Sequence, residues 1–319
     1  MQRRDFLALS IASGFAVAGV TGCSQQQPLA FGIHPWIGYE PLYLARDFGW
    51  LPGSVVLKSG TSSKDSVDGL LSGELGGAAL TLDETIRVLS RGLELVVVAV
   101  ADVSAGADML VVRPSINGLA DLRGQRIAVE VNGVSGILLL KILEVAGLSR
   151  DDIVIVDLAI SQHPEAWARG DIDAAVCYEP TASALQRAGG VRLFDSSDIP
   201  ETIFDVLVVT RTTADTNPEA VRDLVEAHFA GLQHLVRSQH DAVYRVASRQ
   251  GVDPVDVRNA LATVMLPDLS ANQRYRAAFG RVETVARSLS RLMLSEGMIS
   301  NQPSLQRLCD TAFLPRRSS

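Results

Sequence analysis

Asp83, Asp102, Glu130 and Glu179 each follow a short apolar run, and Asp205 opens one. A carboxylate withdrawn from water at such a strand end costs several kcal/mol unless it is paired or hydrogen-bonded. It then either holds its proton or meets a cation. The one obvious positive side chain beside these acids is Lys64, so the simplest partner is a ligand amine, amidine or aminopyrimidine. Trp36 and Tyr39 offer ring faces to such a group, worth ~0.5 to 2 kcal/mol each.

A second set of residues favours the opposite charge. Ser62 and Ser135 stand at helix starts, where backbone N–H groups can hold an anion without any arginine. Ser62, Asp83 and Ser135 can each cap a helix and touch a ligand with the same side chain, the cap alone being worth ~1 kcal/mol. The nearby acids oppose a bare anion, whereas a zwitterion suits both sets. With Gly38, Thr61, Asn132 and Tyr178 from the same strand-end loops, these residues form the expected ligand-binding set. His34 reads as a hydrogen-bonded turn histidine.

Catalytic patterns give little. Gly133-Val134-Ser135-Gly136 lacks the spacing of a Gly-x-Ser-x-Gly nucleophile elbow, and no glycine-rich loop ends in Lys-Ser or Lys-Thr. His228, His234 and His240 are six apart, so successive rings on a helix turn through about 600° and cannot share a metal. Cys177 and Cys309 lie at unrelated spacings in apolar surroundings, which suggests neither a disulfide nor a zinc site. A binder without cofactor or metal is expected, not an enzyme.

From residue 29 to about 204, short apolar runs alternate with helical periodicity and glycine-rich turns, the pattern of βα units building mostly parallel sheets. Strands are expected at 29–33, 55–58, 77–80, 95–101, 109–112, 126–130, 153–158, 174–177 and 206–210. Helical patterns then take over at 218–238, 240–249, 254–261, 271–296 and 303–313. In the aromatic stretch 34–50, Trp36, Gly38 and Tyr39 fall in the loop after the first strand. Tyr43, Phe48 and Trp50 lie on or past the helix that Pro41 begins and are expected to pack against the sheet.

The chain opens with Arg3 and Arg4, a weakly apolar run broken by Ser and Gly, and Val20-Thr21-Gly22-Cys23. That run is shorter than the roughly 20 residues of a membrane span, and the layout is that of an export signal, residues 1–22. The last four residues resemble a lipobox, which would make Cys23 the lipid-bearing first residue on a polar tether, 23–27. Arg3-Arg4-Asp5-Phe6-Leu7 resembles a twin-arginine core, leaving that route and general export both open. About 297 residues remain, normally too many for one core. Net charge is −7, with no basic run outside the signal and the tail, which argues against nucleic-acid binding.

Four stretches in register carry a resemblance: WIGYEPLYLA at 36–45, DLRGQRIAVE at 121–130, GDIDAAVCYEP at 170–180 and DVLVV at 205–209. They resemble the nitrate, sulfonate and taurine group of ABC-importer binding proteins and the related pyrimidine-binding proteins of thiamine biosynthesis. The resemblance implies a type II periplasmic-binding-protein fold, two α/β lobes joined by two crossing strands, with a helical C-terminal region. The lobes would be 28–112 with 208–319, and 113–207, crossing near 110–114 and 205–211. It also implies a monomer, lipid-anchored outside the cytoplasm at the periplasm or cell surface, that passes a small-molecule ligand to an ABC permease with its ATPase. Two alternatives stand beside it. One is an enzyme of thiamine-pyrimidine synthesis in the same fold, expected to carry a cysteine-rich iron-binding stretch and to be cytosolic. The other is a solute sensor without transport.

Overall fold

A computed structural model describes residues 27–179 and 181–315; the expected export signal and the lipidation site Cys23 lie outside them. The first half alternates as expected: β1 (Leu29–Ile33), α1 (Glu40–Asp47), β2 (Val55–Ser59), α2 (Ser63–Ser72), β3 (Gly77–Thr81), α3 (Leu82–Ser90) and β4 (Leu95–Ser104). Then come β5 (Asp108–Val112), β6 (Arg126–Val129), α4 (Val134–Ala146), β7 (Val154–Asp157), α5 (His163–Arg169), β8 (Ala174–Tyr178), α6 (Thr181–Arg187) and β9 (Val191–Asp195). The chain returns through β10 (Phe204–Thr210), α7 (Arg211–Thr216), α8 (Pro218–Arg237), α9 (Gln239–Gln250) and α10 (Pro254–Leu261). It ends with β11 (Val264–Met265), α11 (Leu269–Tyr275) and α12 (Arg281–Ser295).

These strands build two sheets, one per α/β lobe, in the orders β11-β4-β10-β3-β1-β2 and β7-β6-β8-β5-β9. In the first, β1 runs parallel to β2 and β3, while β10 lies antiparallel between β3 and β4. Every residue of the valine-rich β4 is buried, as expected where helices cover both faces of a sheet. In the second, β6 runs parallel to β7 and β8, and β5 is antiparallel to β8 and β9.

The crossings fall at residues 105–107 and 196–203, not near 110–114 and 205–211. Met109 to Val112 pair with Cys177 to Ala174, so β5 belongs to the second sheet. Val206 to Val209 pair with Leu80 to Gly77, so β10 belongs to the first. Ser196 Oγ ties the two crossings together: it meets Ser104 Oγ at 2.7 Å and accepts from the Gly106 N–H at 2.7 Å.

The expected helix 271–296 is broken at Arg276 to Gly280, where Phe279 adopts a positive φ of 60°. The break serves the stretch of β4 that the two-residue β11 leaves unpaired, whose buried peptide groups need partners. Asn272 Oδ1 accepts from Val100 N (2.7 Å), its Nδ2 donates to Val100 O (3.1 Å), and Arg276 Nη1 donates to Val97 O (3.0 Å). The expected helix 303–313 is largely extended for the same reason. Val97 N donates to Leu308 O at 2.7 Å, Gln306 and Arg307 turn, and Thr311–Phe313 form one short 3-10 turn.

α1 packs on α8 so closely that a Cβ at Gly231 would lie 1.9 Å from the Pro41 carbonyl oxygen. Tyr43 is buried there. Phe48 and Trp50, expected against the sheet, instead stack on each other at 4.5 Å beside His234 of α8. Both follow the end of α1, whose inner face is already filled, so Trp50 stays 41% exposed.

Candidate functional site

The ends of β3 and β4 and the start of β10 come together at one edge of the first sheet, because antiparallel register sets Asp205 opposite both Thr81 and Asp102. Ligand crevices of open α/β sheets form at such strand ends. Two adjoining cavities occupy the seam between the sheets. The smaller, about 50 Å³, is lined by residues that include His34, Trp36, Ser63, Thr81, Glu84, Asp108, Tyr178 and Asp205. The larger, about 500 Å³, adds Arg87, Glu130, Asn132 and Ser135. Ser63, Glu84, Val134 and Tyr178 line both.

Trp36 reaches the seam from the loop after β1. Its Nε1 donates to Asp102 Oδ2 at 3.0 Å, and its ring meets Tyr178 edge-on. Gly38 permits this approach, since a Cβ there would lie 1.5 Å from Asp102 Oδ2; Gly38 lines neither cavity and supports Asp102 from behind. Tyr39, expected as a ligand-facing ring, is fully buried and packs among Phe31, Leu42 and their neighbours. Its hydroxyl donates to Asp205 Oδ1 at 2.5 Å, so it fixes the acid rather than offering a ring face.

Four further acids sit with Asp205 in or beside the seam: Asp83, Glu84, Asp102 and Asp108, all buried. Burial pushes Asp102 up to about 7 against the opposing hydrogen bond from Trp36, and Asp108 up to about 6. Burial and then the Glu84 charge raise Asp83 to about 6. Burial and then Asp102 hold Asp205 well above the usual carboxylate range. The Nδ1 of His34, expected in a hydrogen-bonded turn, has no hydrogen-bond partner, and burial lowers this histidine to about 4.

Other expected residues serve local structure. Thr61 and Ser62 are exposed, and their N–H groups and the Thr61 hydroxyl converge on Asp65 Oδ2 at 2.7 to 3.3 Å, closing the start of α2. The next residue, Ser63, takes the cavity-facing position. Glu179, just before α6, accepts from Ser183 N (3.1 Å) and Oγ (2.8 Å) and lines a third cavity of about 170 Å³ that shares Pro35 and Trp36 with the smaller one. Asp83 lines neither seam cavity and lies 3.8 Å from Arg87 Nε. Lys64, expected as the cation, is exposed and pairs with Asp68 one helical turn on.

Lys64 and Arg91 line the larger cavity from exposed positions, and the largely buried cation there is Arg87, which sequence reasoning missed. Its Nη1 donates to Met298 O at 3.2 Å, while its Nε and Nη2 have no hydrogen-bond partner. Ser135 Oγ, in the first turn of α4, is also buried without a partner. Among the described residues, no group of three or more His, Cys, Asp or Glu is arranged to hold a metal ion, and no helix is long and apolar enough to cross a membrane.

Two sheets with a charged seam between their strand ends define a two-lobed α/β protein with an inter-lobe crevice. The chain belongs to the NMT1-like family, whose profile matches residues 22–249. It is 29% identical over 194 residues to the taurine-binding periplasmic protein of Escherichia coli (strain K12), an overlap of 58% of this chain and 59% of that one. The chain spans about half the length of the curated relatives it matches. Its fold is similar to that of the alkanesulfonate-binding protein SsuA from Xanthomonas axonopodis pv. citri bound to MOPS, with a TM-score of 0.73 at 19% identity, covering 89% of this chain and 99% of that one. It is also similar to the desulfurization enzyme DSZB, with a TM-score of 0.66 at 17% identity, covering 90% of this chain and 97% of that one.

Proposed function

We propose that this chain is the extracytoplasmic solute-binding component of an ABC importer, anchored through a lipid on Cys23, and that it clamps a small zwitterion in the seam. The observation that carries this reading is charge separation along one crevice. Arg87 and Ser135 present buried donors without partners at the larger cavity, Asp205 and Asp108 line the smaller, and Glu84 borders both. Buried charged groups left in this state are satisfied by a ligand of opposite charge. An anionic head, sulfonate or carboxylate, fits the Arg87 and Ser135 end, where the α4 N-terminus adds its dipole. An amine fits the acidic end, with Trp36 and Tyr178 as walls and Glu130 and Asn132 at the rim.

The taurine-binding relative supports a ligand of this class. A fold shared with a desulfurization enzyme does not decide between binding and catalysis; the charge layout of the seam favours binding. A ligand touching both sheets stabilises the closed arrangement through its higher affinity for it, and that arrangement would dock on the permease.

Differential scanning fluorimetry of the mature protein against taurine, β-alanine, alkanesulfonates, nitrate and aminopyrimidines tests the reading. A true ligand at 100 times its Kd adds ~2.7 kcal/mol of stability. No shift with any of them would sink the proposal. For the anchor, Cys23→Ser is expected to release the protein from membranes, and continued membrane association of that variant would refute it.

A further inference from the structure

Asp102 and Asp205 face each other on adjacent antiparallel strands beside the smaller cavity, both buried. Each is held by one donor, Trp36 Nε1 at Asp102 Oδ2 and Tyr39 OH at Asp205 Oδ1. No N–H or hydroxyl reaches Asp102 Oδ1, and the remaining hydrogen-bonding neighbour of Asp102 is the Asp205 carboxyl. Two buried carboxyls set opposite each other across a strand pair titrate as a pair.

The surrounding groups favour protonation of the pair. Glu84 of α3 and Asp108 of β5 add negative charge, and Asp83 lies close to both. His34, after β1, is held neutral by burial. Tyr39 and Tyr178 are phenols raised far from ionisation, first by burial. Arg87 pairs with Asp83 and lines the larger cavity, as do the exposed Lys64 and Arg91.

Resting on the zwitterion reading above, we infer that Asp102 and Asp205 share one proton in the ligand-free protein and surrender it when the ligand's ammonium seats against Asp205. The charges balance: the pair carries −1 before binding, and −2 beside one ammonium after it, so the displaced proton passes to solvent. The smaller cavity, about 50 Å³, has room for about three water-sized groups. That matches an aminoethyl arm whose anionic head stays in the larger cavity. Amine capture is thereby linked to pH, and a sulfonate that lacks the amine gains nothing from it.

Isothermal titration calorimetry of the mature protein tests this with taurine, β-alanine and ethanesulfonate from pH 5.5 to 8, in two buffers of different ionisation enthalpy. The zwitterion that binds is expected to tighten by about tenfold per pH unit below pH 7, with about one proton released per ligand. Ethanesulfonate is expected to show no such gain. Asp102→Asn should keep binding but flatten the profile. A zwitterion bound with unchanged Kd and no proton exchange overturns this inference and leaves the solute-binding reading standing, as does binding by ethanesulfonate alone. An unflattened profile in Asp102→Asn removes the assignment to this pair. Failure of all three probes to bind at any pH removes the zwitterion reading together with this inference.

Discussion

The rings of Trp36 and Tyr178 meet edge-on across the seam, centroids 5.8 Å apart, one carried by the loop after β1 and the other by the end of β8. The contact joins the two sheets where the ligand is proposed to sit, and such aromatic pairs contribute ~0.5 to 1.5 kcal/mol beyond their buried area. Tyr178→Ala is expected to weaken binding by about fivefold and to lower the melting temperature of the free protein by a few degrees, in keeping with the lost contact. Calorimetry and a thermal melt on the same sample check it, and undiminished affinity would remove Tyr178 from the site.

Arg87 and Lys64 make a paired comparison. Truncating one partner of a desolvated charged contact typically costs ~2 to 5 kcal/mol, so Arg87→Ala should lower affinity for an anion-bearing ligand by at least about 30-fold. Lys64 lines the same cavity but is exposed and already pairs with Asp68, where ion pairs contribute ~0 to 1 kcal/mol. Lys64→Ala should bind as the wild type does, and equal losses in both variants would contradict the geometry.

The buried acids set a pH dependence for the ligand-free protein. Asp83, Asp102 and Asp108 are raised from 3.8 to about 6, 7 and 6, so the folded state binds their protons more tightly than the unfolded chain. Their stabilising contribution is complete below the unfolded value and is lost as pH rises through about 6 to 7. Melting should therefore occur at higher temperature at pH 5.5 than at pH 8, and Asp102→Asn should narrow the difference. A melt that rises steadily from pH 5.5 to 8 would contradict this.

Glu40 is fully buried, yet it receives Arg249, whose guanidinium also covers the Tyr43 ring at 4.1 Å, and Gln250 Nε2 at 2.6 Å. Removing one partner of a buried ion pair costs ~3 to 5 kcal/mol, and Gln250 keeps one hydrogen bond in place. Arg249→Ala should cost about 3 kcal/mol in urea unfolding, with a smaller loss in the double variant Arg249→Met, Glu40→Gln.

Much of this architecture was legible before any coordinates, for physical reasons. Runs such as Leu95 to Ala101 and Val206 to Val209 are valine-rich and bounded by turns, so nine strands stood out. β9 escaped because Val191 and Arg192 are exposed, and β11 because two residues leave no periodicity. The carboxylates of the seam could be read as strand ends, but Tyr39 could not be assigned to the core, since a ring beside a helix start can turn either way. Arg87 was invisible for a different reason. One turn after Asp83 it reads as an ordinary surface helix cation, and only Met298 and the α4 start, distant in sequence, enclose it. Among Thr61, Ser62 and Ser63, facing depends on the phase of α2, which capping by Asp65 fixes.

Ser196 adds a mechanical consequence. Carried by one connector, its hydroxyl bonds Gly106 of the other and Ser104 at the end of β4, so the two connectors are coupled where the halves meet. Connectors that bend together would let occupancy be read as one angle. Under the proposed import role, a membrane partner need gauge only the gap between the rims to tell a loaded carrier from an empty one.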